Sequence, residues 1–473
     1  MNAQESLAVL QSAQEAMHEG RWAESAHFFG LAAQRQADNA GAWHNLGLSL
    51  LALGNAPQAL KALQRAYGLN PRLWQSRLLQ GRAHKMLGQV QEADASFAAV
   101  MQADPTNGTA RLARADLAMN VFGTPLQAVE WVKPLLGTPE HGDDAELTTL
   151  MASLYDRDES AQELNDRVMD FSRRVLRLAP MPRARVTPRA AKARPRVGLI
   201  SPLFCASPVY FLTIAAWREE AKARDVVVFN RGHKADWATQ AFKDVASEWH
   251  DVQEMDATRL AQALQDADLD VLYDLGGWMD PVGLKALSIK PARHMFKWVG
   301  GQSITTGLDS FDGWIGDEAQ SPAHLQSLYT EPLHNIPGGY AIYTPPDYMP
   351  APQSKRRLEP VVFANPAKLS RAFLRHLQTI QGKKVLVHQQ FQHAQARDHV
   401  LSYLDASEVE FVMPRSHHEA LEVVGQHAEM LDTFPYSSGL TAREAKAMGV
   451  KVRAKVGTLF CERHCAPLTE AAT

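Results

Sequence analysis

The sequence predicts an α-helical solenoid followed by an α/β region built on parallel sheets. A period of 34 residues in the first third of the chain indicates stacked helix pairs. From residue 196 onwards, short apolar runs alternate with helical patterns, which is typical of parallel strands joined by helices. Near the end, a small-residue turn at 435–439 leads into a helical pattern from Leu440, and such a turn favours phosphate binding.

The repeat is carried by glycines and by apolar or small residues that recur together. Gly20, Gly54 and Gly88 are spaced by 34 residues. Three further sets keep the same spacing: Ser25, Ala59 and Ala93; Phe29, Leu63 and Phe97; Ala32, Ala66 and Val100. Each unit is a helix hairpin that cannot bury its own apolar stripe, so neighbouring hairpins must stack. With Trp43 and Gly47 in its middle unit, the array matches the tetratricopeptide pattern.

The pattern divides the chain into four parts. We place the tetratricopeptide array with two capping helices at 1–178 and a linker rich in Pro and Arg at 179–195. A first α/β lobe follows at 196–345 and a second at 346–473. The array surface is expected to hold a protein, and its alternative use is as a scaffold or homo-oligomer contact.

Composition argues against several classes of protein. The net charge of −3 and the pI of about 6.7 give no support for a nucleic-acid or anionic-membrane partner. The sequence has no apolar run of about 18 residues, and its N-terminus does not have the pattern of a signal peptide. Three cysteines predict a reducing cytoplasm. His417 and His418 lack a third ligand at diagnostic spacing, so we predict no metal site and interpret both as exposed.

The stretch LDTFPYSSGLTAREAKAMGV at 431–450 resembles the donor-site signature of a known enzyme family. The motifs Gly457-Thr458-Leu459-Phe460 and Glu462-Arg463-His464 continue the resemblance. The family is the tetratricopeptide-containing O-linked N-acetylglucosamine transferases, also called the SPINDLY family. Its members have two Rossmann-like lobes of the GT-B type and transfer a sugar from a nucleotide-sugar to Ser or Thr of proteins.

The resemblance implies a set of donor contacts in the second lobe. Lys368 and Thr441 would meet the phosphates, and Lys368 would also stabilise the leaving charge during catalysis. Glu444 would accept hydrogen bonds from the ribose. The other expected contacts are Ser438 and Gly439 in the turn and Arg463 of the closing motif.

The first lobe departs from the family at the positions where catalytic groups are expected. Ser207 and Trp278 stand where the family has His, and a Ser hydroxyl has no pKa suited to a general base. Asp274 and Tyr210 are then the catalytic candidates, although an Asp that caps the turn after its strand is the alternative for Asp274. Gln302 and Ser303, in a glycine-rich loop, are expected to contact the donor.

The predicted function is protein O-glycosylation without a cofactor. The donor is expected to be UDP-N-acetylglucosamine or a bacterial sugar on CMP or UDP, because several substitutions face the sugar. An offshoot of the family, the bacterial flagellin glycosyltransferases, transfers other sugars, including nonulosonic acids linked to CMP. This resemblance makes flagellin one candidate acceptor. The alternative is a non-catalytic tetratricopeptide scaffold with degenerate lobes, which the loss of two family His residues favours.

Overall fold

The computed structural model describes residues 3–181, 194–301, 304–455 and 466–467. The chain forms two compact units. Met1–Val121 and Pro125–Thr149 make the first, and Phe122–Thr124 and Leu150–Thr473 make the second. In the parts of the chain that the structure describes, none of the helices has the length and apolar character needed to cross a bilayer.

The first unit is a stack of helix hairpins. Its helices are α1 Ala3–His18, α2 Trp22–Arg35, α3 Ala40–Ala52, α4 Ala56–Leu69, α5 Trp74–Met86, α6 Val90–Ala103, α7 Gly108–Asn120, α8 Pro125–Val132 and α9 Gly142–Tyr155, the last of which ends in the second unit. Gly20, Gly54 and Gly88 turn the chain within three hairpins, with φ of 72°, 74° and 72°. This left-handed region favours glycine, which explains why these positions keep the 34-residue period.

Small residues allow the two helices of a hairpin to approach each other. A β-carbon on Gly47 would overlap the side chain of Leu63, and one on Gly81 would overlap the ring of Phe97. Leu63 and Phe97 occupy equivalent positions in successive repeats and are fully buried. The large and small positions of the repeat are therefore complementary in shape.

The second unit contains two lobes, each built on a parallel sheet. Helix α10, Ala161–Val175, precedes the first lobe. The elements of that lobe are β1 Arg196–Ser201, α11 Pro208–Glu220, β2 Asp225–Asn230, α12 Trp237–Val245, β3 Glu248–Asp251, α13 Ala257–Asp266, β4 Val271–Asp274, α14 Pro281–Leu287, β5 His294–Trp298, β6 Gly313–Gly316 and β7 Leu333–Asn335. The strand order is β3-β2-β1-β4-β5-β6-β7.

The second lobe repeats this plan. Its elements are β8 Val361–Phe363, α15 Arg371–Thr379, β9 Lys384–Val387, α16 Ala394–Leu401, β10 Val409–Val412, α17 His417–Gly425, β11 Glu429–Leu431, α18 Leu440–Ala447, β12 Lys451–Ala454 and β13 Ala466–Pro467. The order is β10-β9-β8-β11-β12-β13, with apolar clusters on both faces of the sheet. The strand order reverses between β1 and β4 in the first sheet and between β8 and β11 in the second. Ligands of such sheets bind at this point, beyond the carboxyl ends of the strands.

The close packing of Gly81 on Phe97 gives a stability prediction. Gly81→Ala should destabilise the protein by about 1–3 kcal/mol, because the added methyl group forces the hairpin apart. Gly68→Ala is the matched control, since a β-carbon there meets no atom within 4 Å. It should be neutral or stabilise helix α4 by up to about 1 kcal/mol. Thermal unfolding followed by circular dichroism at 222 nm measures both, and equal effects would contradict the packing argument.

Candidate functional site

The candidate site lies in the second lobe, where the strand order reverses between β8 and β11. A cavity of about 520 Å³ opens beyond the carboxyl ends of the strands. The residues that line it come from four segments, 363–368, 388–389, 414–420 and 440–444, which follow β8, β9 and β10 and begin α18. Lys368, Thr441 and Glu444, three residues expected to contact a donor, are among them.

The turn that leads into α18 is organised by Asp432, which follows β11 and is 1% exposed. Its carboxylate accepts hydrogen bonds from the backbone N–H of Thr433 at 2.9 Å and of Ser438 at 2.9 Å, and from the hydroxyl of Ser437. These donors compensate the buried charge. The chain between β11 and α18 is thereby held in one conformation.

The N-terminus of α18 carries polar groups at the edge of the cavity, where Thr441 is a lining residue and the predicted contacts Ser438 and Gly439 are not. Gly439 is the N-cap and supplies no side-chain acceptor for the first N–H groups of the helix. The hydroxyls of Ser438 and Thr441 are buried and have no hydrogen-bond partner within the protein. Together with the positive end of the helix dipole, this arrangement suits an anion.

Lys368 brings a positive charge to the same region. Its Nζ lies 3.3 Å from the carbonyl oxygen of Ser437 and 4.5 Å from the centre of the Tyr436 ring. The backbone around Lys368 is fixed by the side chain of Asn365, which accepts a hydrogen bond from the Ala367 N–H at 2.9 Å. The loop after β8 and the turn after β11 therefore meet through Lys368.

Ser370 joins these two loops without facing a ligand. Its hydroxyl donates to the carbonyl oxygen of Phe434 at 2.6 Å and accepts from the Phe373 N–H at 3.0 Å. Ser370 is 2% exposed and caps α15. Its place at the start of a helix thus reflects a structural role.

Glu444 is fully buried, and neither of its carboxylate oxygens has an aligned hydrogen-bond donor within the protein. The Nε2 of His417 lies 2.8 Å from its Oε1, close enough for an ion pair when the imidazole is protonated. The Nδ1 of His417 is 2.9 Å from the hydroxyl of Tyr348. The interpretation of His417 as an exposed loop residue is therefore wrong, because His417 begins α17 and lines the cavity. Sequence spacing gave no signal of this contact, which depends on how α17 and α18 pack.

His388 lines the cavity near Lys368. Its pKa is lowered to about 4, chiefly because burial disfavours the charged imidazole and also because of the charge of Lys368. Its Nδ1 accepts a hydrogen bond from the Gln390 N–H at 3.2 Å. His388 is therefore neutral at pH 7, and the sequence reasoning did not select it.

Asp274 ends β4 at the equivalent position of the first lobe. Its carboxylate accepts hydrogen bonds from the N–H of Gly276 at 2.9 Å and of Gly277 at 3.0 Å, and it lies 3.7 Å from the Nζ of buried Lys297. The chain turns at this carboxylate, which is why β4 ends at Asp274. These contacts favour the turn-capping alternative over a catalytic role for Asp274.

Tyr210 is 7% exposed and belongs to the apolar core of the first lobe. Its ring packs edge-on against Phe211, Trp237 and Phe242, with centroid distances of 5.3, 4.8 and 5.8 Å. It is not among the residues that line the cavity. The packing accounts for Tyr210 as a core residue, and the structure does not bring it to the other candidates.

The two positions at which His is replaced have structural contacts. The Ser207 hydroxyl donates to the carbonyl oxygen of Leu203 at 2.9 Å. Trp278 is buried, and its Nε1 donates to the carbonyl oxygen of Thr305 at 2.9 Å. Neither residue lines the cavity.

Three of the predicted donor contacts, Gln302, Ser303 and Arg463, lie outside the described residues. In the described segments of the chain, no group of three or more His, Cys, Asp or Glu side chains is placed to hold a metal ion.

The fold is similar to that of a solved glycosyltransferase. A mutant of Thermobaculum terrenum O-GlcNAc transferase superposes with a TM-score of 0.57 at 21% sequence identity, covering 95% of this chain and 82% of that chain. This likeness shows the fold, a tetratricopeptide-like helical region followed by GT-B-type parallel-sheet lobes. It supports the family resemblance at the level of fold and does not bear on the flagellin-glycosyltransferase offshoot. No protein-family model and no curated protein matches the chain.

The helical region also matches isolated tetratricopeptide domains. The TPR domain of Arabidopsis OM64 covers 26% of this chain and 100% of its own, at 23% identity and a TM-score of 0.25. The second TPR domain of human RPAP3, solved with an HSP70 peptide, covers 24% of this chain and 95% of its own, at 18% identity and a TM-score of 0.24.

The electrostatic contact between Lys368 and His388 gives a pH prediction. Lys368→Met should raise the pKa of His388 from about 4, while leaving it depressed because burial is the larger cause. Proton NMR titration of the imidazole, assigned with His388→Gln, measures this. Because the unfolded chain protonates with a pKa of about 6.5, stability contributed by neutral His388 is lost as the pH falls from about 6.5 to about 4. An unchanged pKa in Lys368→Met would contradict the contact.

Proposed function

We propose that this chain is a protein O-glycosyltransferase that moves a sugar from a nucleotide-sugar to a Ser or Thr hydroxyl of a protein. The tetratricopeptide array presents the acceptor, and the second lobe binds the donor. The protein works in the cytoplasm, and a flagellin is one candidate acceptor. The proposal goes beyond the fold, which the solved O-GlcNAc transferase shares.

The observation that carries the proposal is the set of buried polar atoms without protein partners around the start of α18. The Ser438 and Thr441 hydroxyls and the Oε2 of Glu444 belong to this set, whereas the Oε1 of Glu444 lies 2.8 Å from the Nε2 of His417. A buried polar group without a hydrogen bond costs about 1–3 kcal/mol, so such groups cluster where a ligand supplies the partner. Hydroxyls beside Lys368 match a phosphate, and a carboxylate farther along the helix matches the hydroxyls of a ribose.

The same groups suit a leaving phosphate. In the transfer, the acceptor oxygen forms a bond to the anomeric carbon of the sugar, and the bond from that carbon to the phosphate oxygen breaks. Negative charge develops on the departing phosphate, where Lys368, the Thr441 hydroxyl and the N–H groups of α18 stabilise it. The acceptor hydroxyl passes its proton in the same step to an oxygen of the departing phosphate, so the transfer as proposed needs no base from the protein.

The donor we propose is a sugar linked to a nucleotide, and the group that leaves is either a nucleoside monophosphate or a nucleoside diphosphate. Leu440 stands where the resembling family has a second Thr, and its side chain packs against the apolar core of the first lobe. One hydroxyl fewer at this end of the helix favours a single phosphate, as in a sugar linked to CMP. UDP-N-acetylglucosamine and other UDP-sugars are the alternatives that the experiments compare.

A second candidate function is a scaffold that binds a nucleotide-sugar without transferring the sugar. It is favoured by the first lobe, where Asp274, Tyr210, Ser207 and Trp278 are all engaged in structural contacts. None of these four lines the cavity. Turnover therefore separates the two functions, whereas nucleotide binding alone does not.

Lys368→Ala should weaken binding of UDP or CMP by about ten- to hundredfold, because a charge-assisted contact with phosphate is lost. Binding of uridine or cytidine should change little. Lys383→Ala is the matched control, since Lys383 lies outside the cavity and pairs with Glu410 at 3.2 Å. Isothermal titration calorimetry at fixed salt measures each affinity. Equal losses for nucleoside and nucleotide would contradict a phosphate role for Lys368.

Sugar transfer itself is tested by incubating the full chain with a flagellin and a panel of CMP- and UDP-sugars. We expect intact mass spectrometry to show an acceptor heavier by one sugar residue, and Tyr210→Phe to retain this product because the Tyr210 ring is part of the core. Nucleotide binding without any mass change, across acceptors from a lysate as well, would favour the scaffold.

A further inference from the structure

Tyr155, the last residue of α9, does not line the cavity but contacts a residue of the turn that precedes α18. Its ring stacks on the ring of Tyr436, with centroids 5.1 Å apart and planes inclined by 18°. The Nζ of Lys368 lies over the ring of Tyr436, 4.5 Å from the ring centre. Three side chains from three separate segments thus form a continuous row that ends at the cavity.

The residues around Tyr155 hold the other side of the same loop. The Asp156 carboxylate, 6% exposed, accepts hydrogen bonds from the Arg371 N–H at 2.9 Å and from its Nε at 3.1 Å. Gly123 lies so close to Pro366 that a β-carbon on the glycine would overlap the proline. Segments that precede the first lobe in sequence therefore fix the loop that carries Lys368.

The physical effect of the stack is to fix the position of a charge. A lysine side chain loses about 2 kcal/mol of rotamer entropy when it is held in one conformation, so an ammonium is well placed only if something restrains it. The face of an aromatic ring attracts a cation, but a ring that can itself rotate restrains the cation poorly. Stacking on Tyr155 removes that freedom from Tyr436.

We infer that Tyr155 is a positioning residue of the nucleotide site, which acts by holding the Tyr436 ring against the Lys368 ammonium where a donor phosphate binds. The inference rests on the proposed function. Tyr155 acts through two other residues, so its effect is confined to the phosphate part of the ligand.

The test compares the affinities of CMP and UDP with those of cytidine and uridine by calorimetry on the full chain. Tyr155→Leu, which keeps apolar bulk without a ring, should weaken nucleotide binding by about three- to tenfold and leave nucleoside binding unchanged. Tyr155→Phe should retain wild-type affinity because it keeps the stack. In the Lys368→Ala background, Tyr155→Leu should cause no further loss, since the two residues act on one contact.

Tyr273→Leu is the control for general destabilisation. Tyr273 also stacks on an aromatic ring, that of Phe296 in the first lobe, with centroids 5.8 Å apart. It should lower the melting temperature without changing the ratio of nucleotide to nucleoside affinity. Circular dichroism verifies that each variant is folded, and Tyr436→Leu replaces Tyr155→Leu if the latter does not fold.

Three results would overturn the inference. Tyr155→Leu could leave nucleotide affinity within twofold of wild type, weaken nucleoside and nucleotide equally, or add its full effect to that of Lys368→Ala. If Lys368→Ala weakens nucleotide binding in the same series, the proposed function survives and the role of Tyr155 alone fails. If the wild-type chain retains no nucleotide, both fail.

Discussion

The candidate site depends on the buried carboxylate of Asp432. Placing a charge where it is 1% exposed is unfavourable unless hydrogen bonds compensate it. Here the donors are two backbone N–H groups and the Ser437 hydroxyl. Because the carboxylate uses these groups, the turn after β11 has one shape, and that shape fixes the start of α18, where Thr441 lines the cavity. A residue at 432 whose side chain has no hydrogen-bond acceptor would leave the turn without its organising group.

Each lobe has an Asp at the end of the equivalent strand, but the groups around the two turns differ. Asp274 lies at the end of β4, and Asp432 directly follows β11, which has the equivalent place in the second sheet. Like Asp432, Asp274 turns the chain by accepting hydrogen bonds from backbone N–H groups. In the first lobe, however, the carbonyl oxygens beside the turn surround the ammonium of Lys297, with distances of 3.2 Å to Asp274 and 2.7 Å to Val299. A cation of the protein thus occupies the first turn, whereas N–H groups and hydroxyls line the second. The difference is the reason we propose the anion site in the second lobe.

The sequence predicted the fold well because its signals are local. The 34-residue period fixes helix hairpins, and β1 has the limits that its apolar run predicts, Arg196–Ser201. It did not predict β3, Glu248–Asp251, because this edge strand has polar residues at three of its four positions and only Trp249 packs against the core. The pattern of α10 indicates an amphipathic helix but not its partner, the loop at 306–307 of the first lobe, where Ser172 donates to the Thr306 carbonyl oxygen at 2.7 Å.

The sequence pattern alone groups residues of the candidate site only where they lie close in sequence, and Lys368 was selected through the family resemblance. Ser438, Gly439, Thr441 and Glu444 share one turn and one helix, so a strand-turn-helix pattern places them together. His417 reaches Glu444 and Tyr155 reaches Tyr436 across 27 and 281 positions of the chain, and no spacing rule announces such contacts. Tyr210 was misplaced for a related reason. Its position after the first strand resembles a catalytic one, whereas its ring is needed to pack α11 on α12.

The unpartnered hydroxyls at the start of α18 also affect how the protein tolerates change. Each makes the ligand-free chain less stable than an apolar side chain of the same shape would, by about 1 kcal/mol or more. Selection for heat resistance alone would therefore enrich valine at position 441 and alanine at position 438. In the ligand-free chain the hydroxyl groups at this end of the helix therefore lower thermal stability, and a bound anion would offset that loss by supplying their hydrogen-bond partner.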